Sequence, residues 1–207
     1  MRESYSTLRT VLAAAICVAV TAACATGPRN GRAALTFNAG GAWSDADTGP
    51  TTAELDGEAT GVSLDLGTHL EDTPAEIGIR ASYRSLDLDD TLAPGSTLEG
   101  EADQAAFAVV LRFVPDTDWT VLPYAEVGIG TQYADIELTA SSPGGRAAAK
   151  ANSWGAYYLL GAGAELVLSE AAAIRAGATY EFSEIDAFDS DTDVDALLAS
   201  VGVVLRF

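Results

Sequence analysis

From Ala33 to the last residue the chain repeats one pattern. Apolar residues alternate with small or polar ones over about ten positions, turn residues interrupt, and the alternation resumes. No stretch of this region carries a helical period. A period of two places successive side chains on opposite faces of an extended strand. The runs are Ala33–Trp43, Thr60–His69, Ala75–Tyr83, Gln104–Val114, Trp119–Tyr133, Trp154–Leu168, Ala171–Phe182 and the terminal LLASVGVVLRF. Eight is an even number, as a closed up-and-down antiparallel barrel requires.

The two faces differ in chemistry. One carries Leu35, Phe37, Ala39 and Trp43, then Ile77, Ile79, Ala81 and Tyr83, then Phe107, Val109, Leu111 and Phe113, with no charge in mid-run. The other holds Gly, Ser, Thr and Tyr with isolated charges. A soluble, lipocalin-like barrel would put its charged face outward and its apolar face inward. Here the polar face is too poor in Lys, Glu and Asp for a soluble surface. The apolar face avoids the cations that cost roughly 2–4 kcal/mol at a bilayer midplane. The expected fold is all-β, an eight-stranded antiparallel up-and-down transmembrane β-barrel with its apolar face in lipid.

Connection lengths add a direction. Three are tight, at Leu70–Pro74, Pro115–Asp118 and Ser169–Glu170, and four are longer, at Ser44–Ala59, Arg84–Asp103, Ala134–Ser153 and Ser183–Val194. Short turns on the periplasmic side and long outer loops are the habit of such barrels. Trp43, Tyr83, Tyr133, Tyr158, Tyr180 and Phe182 then form an outer aromatic girdle, and Phe37, Phe113, Trp119 and Phe207 the opposite rim.

The N-terminus reads as an export signal over residues 1–25, leaving a barrel domain at 26–207. Arg2 and Arg9 precede the apolar VLAAAICVAV, and Ala23-x-Ala25 offers small residues for cleavage. Ten apolar residues are too few for a spanning helix, which needs roughly 20. Both cysteines, Cys17 and Cys24, fall in this leader, so the remaining chain offers no disulfide framework and no thiolate metal site. Cleavage before Cys24 would instead make a lipoprotein, although Thr21 stands where that motif wants Leu. The formal net charge is −19, with a single Lys and a single His. Such a chain is repelled by nucleic acid.

In strand count, loop rhythm and last strand the chain resembles the eight-stranded OmpA/OmpX-type outer-membrane barrels, from about Ala33 to Phe207. The resemblance implies a bacterial outer-membrane location and outer-membrane lipid as surroundings. It also implies that Phe207, at the end of LLASVGVVLRF, is the signal read by the barrel-assembly machinery. No periplasmic domain is expected after Phe207. A monomer is expected.

Asp65, Arg80, Arg112, Glu126, Glu165, Arg175, Glu181 and Arg206 fall on inward positions. An eight-stranded barrel has an interior just wide enough for side chains to fill. Buried charges there must be paired, so these eight are expected to form a structural ion-pair network that plugs the lumen. The alternative is a narrow porin-like path for small solutes, lined by the same groups, with Glu126 and Arg112 foremost. Four inward arginines against four carboxylates allow near-neutrality.

The acidic loops raise a metal question. DSDTDVD places Asp189, Asp191, Asp193 and Asp195 at alternate positions, but a calcium loop wants Gly at its sixth position and Glu at its twelfth. Val194 and Ser200 stand there, so the match fails. A weak divalent-cation site on these loops, bridging to lipid phosphates, stays open. A lipid A-modifying enzyme is the remaining class. It would need a His and a Ser near the outer rim, and the lone His69 lies beside a short turn at the other end. GIG and GAG (Gly128–Gly130, Gly161–Gly163) lie inside strands, which removes a nucleotide fingerprint. Glycine there makes room for Tyr124 and Tyr157 in the lumen. Neither catalysis nor a cofactor is expected.

Overall fold

The computed structural model describes residues 31–207 apart from 48–51, 94–95, 116, 118 and 188–189. The expected leader with Cys17 and Cys24, and Asp189 of the acidic loop, lie outside the described residues. So do the side chains of Asp45, Asp47, Glu54, Asp90, Asp186 and Asp191.

Eight strands follow in order: β1 Gly31–Asp47, β2 Thr52–His69, β3 Ala75–Ala93, β4 Ser96–Phe113, β5 Val121–Ser142, β6 Gly145–Ser169, β7 Ala172–Ala187 and β8 Ser190–Arg206. Each pairs antiparallel with the next, and β1 pairs with β8, from Arg32↔Arg206 to Ala46↔Thr192, to close the barrel. The final strand is thus built into the wall. Phe207 continues the seam beyond β8: its N–H donates to the Gly31 oxygen at 2.9 Å and its carbonyl accepts from the Gly31 N–H at 2.7 Å.

The alternation has the sense read from the sequence. Phe37, Phe107, Ile129 and Leu160 point outward, each more than half exposed, in a band continued by Ile77, Ile79, Val109, Val127, Ile174, Val201 and Val203. Trp43–Tyr180, Tyr133–Trp154 and Tyr158–Phe182 stand with ring centroids 6.1, 5.3 and 6.1 Å apart and form the outer girdle. Phe37 departs from the reading. It lies opposite Val62 and Val201, midway up the band and six residues below Trp43, so it is not on the rim.

The four long loops are a second correction. Most of Ser44–Ala59, Arg84–Asp103, Ala134–Ser153 and Ser183–Val194 is strand, and the outer connections shrink to 48–51, 94–95, 143–144 and 188–189. The strands run 16–25 residues, where about ten cross a bilayer. The physical reason is that alternation continues through the girdle while its chemistry inverts. On β3, Ile77, Ile79, Ala81 and Tyr83 face out and Arg80 and Arg84 face in. Above them Asp87 and Asp89 face out and Leu86 and Leu88 face in. On β8, Leu197 and Val201 face out below Asp193 and Asp195, while Val194, Ala196 and Leu198 are buried. Below the girdle the outward face is apolar and the inward face polar. Above it the two faces exchange these characters.

Candidate functional site: the lumen and the outer wall

Among the described residues the inward side chains form two segments. The lower one is ionic and centres on Glu126, a β5 residue 1% exposed. Its carboxylate accepts from Arg80 Nη2 of β3 at 2.9 Å, from Arg112 Nη2 of β4 at 2.8 Å and from Arg175 Nη2 of β7 at 2.8 Å. Asp65 of β2 accepts from Arg80 Nε at 2.6 Å and from Arg175 Nη1 at 3.0 Å. Three guanidiniums therefore share two carboxylates at the centre of the barrel.

Tyr124 completes this layer. Its hydroxyl accepts from Arg175 Nε at 2.8 Å, and the Arg175 guanidinium carbon lies 4.4 Å from its ring centroid. The ring has room because Gly163 and Gly177 lie beneath its hydroxyl, where any Cβ would collide with that oxygen.

A second set of pairs lies toward the Gly31–Phe207 end. Arg32 reaches Glu76 at 2.6 Å and also Glu165, and Arg206 reaches Glu165 at 2.8 Å. Glu76 accepts from Arg112 Nη1 at 3.3 Å, which ties this layer to the centre. Toward the girdle, Arg84 bonds Glu181 and Gln104, and Gln132 donates to Ser183 Oγ at 2.8 Å. Above these comes the apolar segment: Ala42, Leu55, Ala59, Leu86, Leu88, Ala102, Ala134, Ile136, Ile185, Val194, Ala196 and Leu198 pack as one buried cluster.

All eight inward residues named from the sequence face the lumen. Asp65, Arg80, Arg112, Glu126, Glu165, Arg175 and Glu181 are buried, and the Arg206 side chain is a quarter exposed at the mouth. Some register partners bond as well, as in Asp65↔Arg80 and Arg112↔Glu126. Glu165 and Arg175 stand opposite one another yet bond elsewhere, because long side chains reach across a narrow lumen. Arg32, Glu76 and Arg84 also belong to the network. Extending the β1 and β3 alternation by one step at each end would have found the two arginines. Among the described residues six arginines thus meet five carboxylates, so the offset is not the four-against-four expected.

The outer wall above the girdle is acidic. Glu58 of β2 lies opposite Asp87, Asp87 opposite Glu101, Glu101 opposite Glu137, and Glu137 opposite Lys150 of β6, which it bonds. Among the described residues no three carboxylate, His or Cys side chains converge as a metal site. His69 is exposed at the end of β2, beside the 70–74 turn.

The family model for the outer membrane protein beta-barrel domain matches residues 10–207. The chain belongs to this family. Membership places this outer-membrane barrel in the bacterial outer membrane. Among solved structures it is similar to Ail, the attachment invasion locus protein of Yersinia pestis (17% identity, TM-score 0.48, 86% of this chain and 99% of that one). It is similar also to the outer membrane protein OprG of Pseudomonas aeruginosa (18%, 0.48, 87% and 98%) and to Neisserial surface protein A (17%, 0.46, 84% and 99%). No curated protein matches the chain.

Proposed function

We propose that this outer-membrane barrel is a non-conducting scaffold whose work is done by its outer wall. The observation that carries the reading is the lumen: Glu126 holds arginines from β3, β4 and β7 together, and an apolar cluster fills the barrel above them. Paired guanidinium–carboxylate contacts are directional and favour a fixed plug over mobile charges lining a path. The apolar segment adds a second barrier, since an ion entering it would lose its hydration without gaining a partner. The exposed acid rows above the girdle are then the surface the protein shows to the outside, and the barrel acts by contact and not by catalysis.

Purified barrel inserted in a planar lipid bilayer should show no sustained conductance. Steady open channels that disappear in Glu126→Gln or Arg112→Ala barrels would contradict this reading and establish a porin-like path for small solutes.

Phe207 serves assembly in this reading, as the residue presented to the assembly machinery. Its ring lies against Gly31, where a Cβ would stand 2.5 Å from Phe207 Cε2, so it also packs at the seam. Phe207→Ala keeps both backbone bonds to Gly31. Folded yield in cells should fall several-fold while refolding into detergent stays near normal. Equal impairment in both settings would show that the ring acts through packing alone.

A further inference from the structure

Above the girdle the outward carboxylates of four neighbouring strands stand in register. In one row Glu58 of β2 lies opposite Asp87 of β3, Asp87 opposite Glu101 of β4, and Glu101 opposite Glu137 of β5. In the row above it Asp56 lies opposite Asp89, and Asp89 opposite Glu99. In the row below, Asp103 lies opposite Asp135. Side chains directly across a sheet stand about 4.5–5.5 Å apart at Cβ, and like charges so placed repel. Among the described residues Lys150 is the one cation in these rows, at the end where it bonds Glu137.

The same strands carry no such repulsion lower down. There the outward partners are apolar, as in Leu66, Ile79 and Val109, and the inward charges are paired with opposite ones. On the outer wall, repulsion across the strands is opposed by the backbone ladder and by the inward contacts of Leu86, Leu88, Ala102 and Ile136. Repulsion between exposed charges reaches about 30 Å at 0.01 M salt and about 3 Å at 1 M, whereas buried pairs are screened much less. The first length spans all three rows. The second is shorter than the spacing of a single pair. Salt therefore acts on the outer wall and hardly on the ionic plug.

We infer that the outer wall of β2 to β5 is an ionic-strength-sensitive element: its strands separate above the girdle in dilute solution and close in salt, while the barrel below stays shut. This regulates the surface assigned above and rests on that reading for placing the wall in water. Separation breaks up the ordered carboxylate rows and uncovers Leu86 and Leu88, so the protein shows one surface in saline and another in dilute medium. Screening needs no bound ion, and among the described residues no three carboxylates converge on one.

The test is hydrogen exchange, read by mass spectrometry on the full barrel refolded in a neutral detergent at one pH, in 10 mM and in 1 M sodium chloride. Each segment's rate is divided by that of an unstructured peptide of the same sequence in the same buffer. Residues 86–89 and 98–103 should exchange roughly tenfold faster in the dilute buffer, by local opening, and residues 77–83 and 105–112 should not change. The Asp87→Asn, Glu101→Gln double variant removes every like-charge contact of the first row and keeps the side-chain shapes. It should cut the salt response roughly threefold. Salt-independent exchange of the outer segments would overturn the proposal, as would an undiminished response in the folded double variant. Protection restored by micromolar magnesium in 10 mM sodium chloride would also overturn it, since a discrete cation site would then close the wall. None of these readouts depends on conductance, so this inference and the plugged-scaffold reading fail separately.

Discussion

Glu126→Ala should cost the barrel on the order of 3–5 kcal/mol, the penalty for removing one partner of a buried ion pair. Three guanidiniums bond Glu126, and the substitution leaves Asp65 to serve Arg80 and Arg175, with Arg112 3.7 Å away. Excess positive charge would then be held in a lumen that water reaches poorly. Reversible urea unfolding in phospholipid vesicles measures the loss. Glu126→Gln keeps the shape and two acceptor lone pairs but not the charge, so it should fall between parent and Ala. By contrast, Glu137→Ala breaks an exposed pair with Lys150 and should leave the unfolding midpoint unchanged. A Glu126→Ala barrel as stable as the parent would mean that the central arginines are hydrated, and the plug would lose its main support.

The eight strands were legible because alternation survives any local weakness in propensity: one face had to suit lipid and the other a crowded lumen. Asp65, Arg80, Arg112 and Glu126 were legible as inward residues for the same reason. That Asp65 stands across from Arg80, and Arg112 from Glu126, depends on the register, which alternation does not fix. Nor were the strand ends legible. The alternation reading stopped β3 at Tyr83 because the apolar residues then change faces, and Arg84 was lost with the discarded segment. The backbone does not register that change. Leu86 and Leu88 occupy the same inward face as Arg80 and Arg84. What changes is the medium outside, from lipid to water, and with it the residue type each face requires. The six-to-five charge count was hidden for a related reason, since Arg32 and Arg84 stood just beyond the assumed ends of β1 and β3.

That inversion is the account's central claim, and two positions on one face of β3 test it. Ile79 and Asp87 both point outward, eight residues apart, the first between Leu66 and Val109 in the apolar band and the second between Glu58 and Glu101 above the girdle. An arginine at position 79 faces lipid near mid-band and should cost roughly 2–4 kcal/mol. An arginine at position 87 faces water between two carboxylates, replacing like-charge neighbours with opposite ones worth roughly 0.2–1 kcal/mol each. It should be neutral or slightly stabilising. The measurement is urea unfolding of Ile79→Arg and Asp87→Arg in the same phospholipid vesicles. The account predicts a large loss for the first and none for the second. Equal losses at both positions would put Asp87 in lipid with Ile79, and equal indifference would put both in water; either result would contradict a membrane boundary between them.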